Sequence, residues 1–236
     1  MFYHIITHST CNLHCKYCDR AEFGEPKEDI YDYNIPIKIS YPIEQLKSLI
    51  KKDDYITFYG GEPLLDIEII KKIIDNIECK GFMTQTNGLL LNKIGEKHIK
   101  QFHTILVSID GNESITDFNR GKGVHKIIMN NIQIIKKQGF NGELIARMVI
   151  TKGSNLYDQV LWLLNNGFDN IHWQLDVMFY DEENIQWLNE YNQHITKLMD
   201  FWIENIKQGK VIRLYPFIII MDDMLKNIPA NLRCGS

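Results

Sequence analysis

Short apolar runs rich in β-branched residues recur along the chain, and stretches with apolar residues at helical spacing lie between most of them. The strand-like runs are 3–7, 55–59, 80–85, 104–109, 144–151, 170–175 and 211–219. The helix-like stretches are 43–52, 66–77, 124–138, 155–166 and 182–206. Alternation of this kind predicts parallel strands joined by helical crossovers, which is the α/β class.

Glycine and polar residues gather where the predicted strands end. They follow the first, second, third, fourth and sixth strands, at 11–18, 60–63, 86–88, 108–111 and 174–176. The carboxyl ends of parallel strands meet at one edge of a sheet or barrel, and α/β enzymes keep their active sites there. The sequence therefore predicts a functional site at the C-terminal ends of the strands.

Composition narrows the class of protein. The chain has 236 residues, 26 of them Lys or Arg and 30 Asp or Glu, for a net charge of -4. A mildly acidic chain of this length is typical of a globular protein, with one large domain expected and two small ones as the alternative. The charge disfavours general nucleic-acid binding. No apolar run is long enough to span a bilayer, and the N-terminus lacks the features of a signal peptide. We therefore expect a cytoplasmic protein without a membrane partner.

Three of the five cysteines are clustered as Cys11, Cys15 and Cys18, with the spacing C-x3-C-x2-C. Close thiolates suit an iron-sulfur cluster, zinc or copper(I). A [4Fe-4S] cluster held by three cysteines leaves one iron open for a substrate or cofactor. A structural zinc site needs a fourth ligand, for which His14 and Cys79 are candidates, and three incidental buried cysteines are the remaining interpretation. Cys79 by itself is expected to be a buried, inert thiol.

The cysteine motif after one strand and Gly60-Gly61-Glu62-Pro63 after the next resemble the radical S-adenosylmethionine (SAM) superfamily. The resemblance implies a partial (β/α)6 barrel in which the three cysteines hold a [4Fe-4S] cluster whose open iron binds SAM. It also implies an oxidoreductase of an anaerobic setting, supplied with electrons by flavodoxin or ferredoxin. Reduction of the cluster cleaves SAM to methionine and a 5'-deoxyadenosyl radical, which abstracts hydrogen from substrate.

The resemblance also assigns residues to SAM. Tyr17 is expected against the adenine, and Gly60, Gly61 and Glu62 at the amino group, although Gly-Gly-Glu-Pro is also compatible with a simple strand-ending turn. The remaining candidates and their expected contacts are Ser108 and Arg120 at the carboxylate and Asn87 and Asp110 at the ribose. A solvated loop arginine is the alternative for Arg120.

Two segments indicate a branch of the superfamily. Residues 107–111 (Val-Ser-Ile-Asp-Gly) and 118–121 (Phe-Asn-Arg-Gly) resemble the peptide-modifying branch, which includes the anaerobic sulfatase-maturating enzymes. The substrate is then expected to be a peptide or protein. Arg147 either points into the barrel to pair with a carboxylate or turns outward. Gln174 and Asp176 are expected to face substrate, but a strand-end Asp is equally a helix N-cap.

The C-terminal Arg233-Cys234-Gly235-Ser236 resembles the opening of a cysteine-rich SPASM or twitch extension that carries auxiliary clusters. Either the chain is cut there or the extension has been lost. We expect the barrel domain to cover 1–210, and 211–236 to hold a last strand and the start of that extension.

Two other functions stay open. Short radical SAM enzymes such as 7-carboxy-7-deazaguanine synthase share both motifs, have similar lengths, act on small pterin-like substrates and need magnesium. A metal-stabilised binding module without catalysis is the alternative from another class.

Overall fold

The computed structural model describes residues 1–18, 36–176 and 184–227. The chain divides into two compact units, Met1–Arg147 and Met148–Ser236. The predicted division into 1–210 and 211–236 stays a prediction. The strands follow one another in chain order, from β1 to β7, so the expected parallel α/β organisation is confirmed.

The described part of the first unit alternates strands and helices. Its strands are β1 (Phe2–His8), β2 (Tyr55–Gly60), β3 (Gly81–Thr86), β4 (Phe102–Ser108) and the start of β5 (Glu143–Ile150). Its helices are α1 (Ile43–Leu49), α2 (Ile67–Asn76), α3 (Glu96–Ile99), α4 (Glu113–Arg120) and α5 (Val124–Lys137), with 3-10 turns at Pro63–Asp66 and Leu91–Lys93. Neighbouring strands from β1 to β5 pair in parallel.

The two faces of this sheet differ because side chains alternate along a strand. The strand residues Ile56, Phe58 and Ile105 are completely buried in the core. Helices α2 and α5 also bury apolar residues there, for example Ile73 of α2. On β1 and β2 the opposite alternation leaves Ile6 and Tyr59 exposed. One face of the strands therefore builds the core, and the other leaves side chains such as these exposed.

Side-chain caps explain where two helices of this unit begin. Asp66 accepts a hydrogen bond from the Ile69 N–H at the start of α2, and Asn112 accepts one from the Ile115 N–H at the start of α4. Such caps satisfy N–H groups that have no partner within the helix. The pattern of apolar residues did not predict α4, because that helix is short and its buried residues, Thr116, Asn119 and Arg120, are polar.

The described part of the second unit contains the rest of β5 and five further elements. These are α6 (Leu156–Asn165), β6 (Asn170–Leu175), α7 (Asn184–Lys207), β7 (Arg213–Leu214) and α8 (Tyr215–Leu225). β6 and β7 pair in parallel. No described helix is both long and apolar enough to cross a lipid bilayer.

The predicted strand at 211–219 is wrong. Only Arg213–Leu214 is a strand, and Tyr215 begins helix α8, with Pro216 in its first turn. A short apolar run does not distinguish a buried strand from a helix, and proline is favoured at a helix start. Phe217 is buried against the rings of Trp173 and Trp202, at centroid distances of 5.3 and 5.5 Å.

Candidate functional site

The chemistry-bearing residues of the first unit lie where its strands end, as the sequence predicts. β1 ends at His8, shortly before Cys11, and β2 ends at Gly60. β3 ends just before Asn87, and β4 ends at Ser108. The segment that carries the cysteines therefore begins at the same edge of the sheet as the other predicted site residues.

Gly60 and Gly61 bring the end of β2 against the backbone that leads to Cys11. A Cβ on Gly60 would lie 2.3 Å from the His8 carbonyl oxygen, and one on Gly61 would lie 2.4 Å from that of Thr10. The Gly61 and Glu62 N–H groups donate to these same oxygens, at 3.0 and 2.9 Å. Both positions therefore need glycine for a close approach of backbones.

Glu62 joins the ends of β2 and β3. Its buried carboxylate accepts hydrogen bonds from the Leu64 N–H at 3.0 Å, the Thr86 hydroxyl at 2.7 Å and the Asn87 N–H at 2.7 Å. Burial raises the pKa of Glu62, and these hydrogen bonds oppose that shift. The side chain is thus committed to contacts within the protein.

Asn87 holds the first cysteine. Its side-chain amide donates to Asn12 Oδ1 at 2.7 Å and to Cys11 Sγ at 3.6 Å. The Leu13 N–H also donates to Cys11 Sγ, at 3.4 Å. Hydrogen-bond donors directed at a ligand sulfur are the contacts that tune iron-sulfur clusters. The donor set at Cys11 therefore fits a [4Fe-4S] ligand.

Cys15 and Cys18 belong to one backbone turn, closed by a 3.0 Å hydrogen bond from the Cys18 N–H to the Cys15 carbonyl. All three clustered cysteines are half-buried. Burial raises the pKa of Cys15 to about 11; Arg120 lowers it, and Asp110 and the other two cysteines raise it further. Within the described ranges, no three His, Cys, Asp or Glu side chains form a group suited to a single metal ion.

Tyr17, Asp110 and Arg120 form a buried network that ties the cysteine segment to α4. Arg120 donates to both carboxylate oxygens of Asp110, from Nε at 3.0 Å and from Nη2 at 2.8 Å. The Tyr17 hydroxyl donates to the same carboxylate at 2.9 Å, and its ring centroid lies 5.4 Å from the Arg120 guanidinium carbon. Arg120 is therefore a buried, paired side chain and not the solvated loop arginine of the alternative.

The electrostatics of this network favour the charged pair. Burial lowers the pKa of Arg120, but its interactions with Asp110, Tyr17 and Cys15 outweigh that effect, so the net shift is upward. Burial raises the pKa of Tyr17 well above its usual value; Arg120 opposes that shift, and Asp110 adds to it. At neutral pH the phenol therefore keeps the proton that it donates to Asp110.

Asn119 is a site residue that the sequence reasoning missed. Its side-chain amide donates to Asp110 at 3.3 Å, and its backbone carbonyl accepts from the Lys16 N–H at 2.9 Å. Its Oδ1 atom is buried and has no partner among the described residues. The only signal in the sequence was its place immediately before Arg120.

Ser108 and Arg147 are opposite each other in the pairing of β4 with β5. The two strands are hydrogen-bonded there, since the Ile109 N–H donates to the Arg147 carbonyl at 3.1 Å. Arg147 is half-buried, and burial lowers its pKa; the nearby Arg120 lowers it further, and Tyr59 raises it. Arg147 thus lies close enough to Arg120 for their charges to interact.

The remaining residues singled out from the sequence are Gln174, Asp176, Cys79 and Cys234. Gln174 and Asp176 are at the end of β6 in the second unit, where the Asp176 N–H donates to the Ile150 carbonyl at 3.0 Å. Cys79 is half-buried rather than fully buried, and burial raises its pKa. Cys234 falls outside the described residues.

Comparison with known proteins gives a family and two kinds of relative. The family model of the radical SAM superfamily matches residues 5–161. The cysteine-type anaerobic sulfatase-maturating enzyme of Clostridium novyi (strain NT) is 23% identical over 250 residues, covering 94% of this chain and 65% of the relative. The 7-carboxy-7-deazaguanine synthase of Methanocaldococcus jannaschii is 27% identical over 160 residues, covering 63% of this chain and 63% of the relative.

A solved structure shares the fold. Native anSMEcpe with bound AdoMet and Kp18Cys peptide matches with a TM-score of 0.77 at 18% sequence identity, covering 98% of this chain and 67% of that chain. This likeness confirms the expected fold class. The chain spans about two thirds of the length of these relatives.

Proposed function

Because the chain belongs to the radical SAM superfamily, we propose that it abstracts a hydrogen atom from a peptide or protein substrate. It is a radical SAM enzyme, and its cofactors are the [4Fe-4S] cluster and SAM of that family. When bound, these cofactors supply the 5'-deoxyadenosyl radical. The protein's own residues bind and orient the cofactors and shield the reaction.

Cys11, Cys15 and Cys18 are proposed to ligate the cluster. The hydrogen bonds to Cys11 Sγ support this assignment, because N–H donors to the ligand sulfurs are a feature of iron-sulfur sites. Asn87, which the sequence placed at the SAM ribose, is better assigned to this supporting role. Its side chain is already engaged by Asn12, Cys11 and the Leu89 N–H.

The proposed SAM contacts lie around the same edge. Tyr17 is assigned to the adenine, and the backbones of Gly60 and Gly61 to the amino group. The Glu62 carboxylate holds the glycine turn rather than the ligand, since it accepts three hydrogen bonds from the protein. Asp110 is assigned to hold Tyr17 and Arg120 rather than the ribose, because its two oxygens already accept from Tyr17, Asn119 and Arg120.

One observation carries the peptide assignment. The residues that resemble the peptide-modifying branch, at 107–111 and 118–121, supply both partners of the buried Asp110–Arg120 pair that secures the cysteine segment. The extent of similarity agrees, because 94% of this chain aligns with the sulfatase-maturating relative and 63% with the synthase. A cytoplasmic, anaerobic setting and a flavodoxin or ferredoxin donor are parts of the same proposal.

A small-molecule substrate is the second candidate. The 27% identity to 7-carboxy-7-deazaguanine synthase exceeds the 23% identity to the sulfatase-maturating enzyme, although over a shorter stretch. Gln174 and Asp176 stay proposed substrate contacts under either function.

The test compares two classes of substrate with the cluster-loaded protein under anaerobic reduction. A cysteine-containing peptide of the Kp18Cys type and a small carboxylated pterin with magnesium are each deuterated at the reactive carbon. With the peptide only, we expect deuterium to appear in 5'-deoxyadenosine. With the peptide only, 5'-deoxyadenosine should also form faster than it does without substrate. Deuterium transfer from the pterin alone would replace the peptide assignment with the second candidate.

A further inference from the structure

Resting on the proposed function, we infer that the surface around Lys16 and Phe118 is the docking face for an acidic one-electron carrier protein that reduces the cluster. The face consists of Lys16, Phe118, Lys122 and Lys126, all exposed residues of the first unit. One electron leaves the reduced carrier and enters the [4Fe-4S] cluster, and no bond forms or breaks in that transfer.

The face lies over the segment that carries the proposed cluster ligands. Lys16 is one residue from Cys15 and two from Cys18. Its N–H donates to the Asn119 carbonyl at 2.9 Å, which fixes the segment against α4, and its side chain is exposed. Electron transfer slows steeply with distance, so a carrier has to dock where the cluster segment reaches the surface. Lys16 marks such a place.

Phe118 gives the face an apolar centre. Its side chain is 60% exposed, although phenylalanine is commonly buried. The Lys16 Nζ lies 3.0 Å from its ring centroid, a cation–π contact that holds the charge beside the ring. Aromatic side chains are enriched at protein–protein interfaces. Phe118 and Lys16 therefore present an apolar surface and a positive charge together, next to the cluster segment.

Three lysines make the face positive. Lys122 lies just after α4 and Lys126 lies in the first turn of α5, and both are exposed. Lys16, Lys122 and Lys126 have no ion-pair partner within the described ranges. The whole chain has a net charge of -4 and repels an acidic protein at long range. A local group of cations reverses that repulsion at one face and orients the approaching partner.

Asp117 gathers these lysines near Phe118. Its carboxylate accepts hydrogen bonds from the Gly123 N–H at 2.6 Å and the His125 N–H at 2.8 Å. These bonds fold the connection between α4 and α5 against α4, so Lys122 and Lys126 are each next to a residue that contacts Asp117. One carboxylate against three lysines leaves the face positive. The partner that fits is a small redox protein with carboxylates around its redox centre.

The experiment measures the dissociation constant of an acidic flavodoxin for the cluster-loaded protein by anaerobic calorimetry. Lys122→Glu together with Lys126→Glu should weaken binding about 10-fold at low ionic strength, and the effect should shrink as salt screens the charges. Phe118→Ala should weaken binding by a similar factor through loss of the apolar centre. The rate of 5'-deoxyadenosine formation with dithionite should stay at the wild-type value in both variants, since that small reductant needs no docking face.

Lys47→Glu together with Lys72→Glu is the matched control. It changes the net charge by the same amount at exposed lysines of α1 and α2, and it should keep the wild-type dissociation constant. Wild-type flavodoxin binding in both face variants, or an equal weakening in the control, would overturn the inference.

Two further outcomes would also overturn it. One is a loss of affinity for a Kp18Cys-type peptide with unchanged flavodoxin binding, which would assign the face to the substrate. The other is a wild type that forms 5'-deoxyadenosine with dithionite but does not bind flavodoxin, which would leave the proposed function standing. A cluster-loaded wild type that forms no 5'-deoxyadenosine with dithionite would instead overturn the proposed function.

Discussion

The central residues of the site are a buried pair of opposite charges. Asp110 and Arg120 are 1% and 6% exposed, and Tyr17 and Asn119 add hydrogen bonds to the same carboxylate. Burying two charges costs free energy that good geometry and extra hydrogen bonds offset, whereas removal of one partner leaves an uncompensated charge. The pair therefore fixes the position of the cysteine segment more than it raises overall stability.

Asp110→Asn should lower the free energy of unfolding by about 3–5 kcal/mol, because Arg120 would stay buried without its counter-charge. Urea denaturation under anaerobic conditions measures the change. Asp222→Asn is the control, since Asp222 pairs with Lys226 on the surface and its loss should be undetectable. Equal effects of the two substitutions would contradict the assignment of Asp110.

Glu62→Gln should cost about 1–3 kcal/mol of unfolding free energy, because its side-chain NH₂ group would face an N–H donor at either Asn87 or Leu64. Burial raises the Glu62 pKa, so the folded state holds this proton more tightly than the unfolded chain. The stability from that proton is present below the unfolded pKa and is lost as pH rises through the folded pKa. Denaturation curves recorded across this pH range should show the loss of stability in the wild type and not in Glu62→Gln. The same dependence of unfolding free energy on pH in both proteins would refute the account of Glu62.

At the scale of elements, the glycine turn after β2 and the segment after β1 form one unit of structure. Their backbones touch at Gly61 and Thr10, and hydrogen bonds to the His8 and Thr10 carbonyls hold them together. Sequence spacing indicated that both segments belong to one site. It did not reveal that the glycines are required by contact with the protein itself, since that contact joins residues far apart in the chain.

Gly61→Ala should abolish cluster binding, because the new Cβ would overlap the Thr10 backbone and displace the segment that leads to Cys11. Iron content after reconstitution should fall from about four per chain to near zero. Gly153→Ala is the control: its φ of +81° makes alanine strained, but no atom lies within 4 Å of the added Cβ, so iron binding should persist. Full iron content in Gly61→Ala would exclude this role for the turn.

Helix α8 marks the limit of pattern-based prediction. The run from Phe217 to Met221 is continuously apolar, so its periodicity does not separate a strand from a helix, and Pro216 supplied the only local signal for a helix start. In the helix, Phe217 is buried and Ile219 and Ile220 are exposed. A strand would instead have placed Phe217 and Ile219 on the same face.

Phe217→Ala should therefore lower the free energy of unfolding by about 3–5 kcal/mol, since its ring packs between Trp173 and Trp202. Ile219→Ala should change it by far less, because that side chain is 51% exposed. Parallel denaturation curves of the two variants test this. Comparable losses of unfolding free energy in the two variants would indicate that Phe217 and Ile219 share one buried face, as in a strand, and would contradict the helix.

At the scale of the whole molecule, the fold class and the place of the site were predictable because they depend on local patterns. Alternating apolar periods indicated parallel strands, and C-x3-C-x2-C spacing indicated the cluster loop. The partners of the site residues were not predictable, because Asp110 with Tyr17, and Glu62 with Asn87, meet only through tertiary structure. The sequence pattern therefore suggested that Asn87 and Asp110 contact the SAM ribose. In the structure, the side chains of both residues form hydrogen bonds with other residues of the protein.

The most direct test of the account is anaerobic reconstitution with iron and sulfide, followed by dithionite reduction with SAM and measurement of 5'-deoxyadenosine. The wild type and Cys79→Ala should each bind about four irons per chain and form 5'-deoxyadenosine, because Cys79 lies outside the cluster loop. Cys15→Ala should lose both properties while staying folded. Product formation by Cys15→Ala at the wild-type rate, or none by a cluster-loaded wild type, would contradict the account.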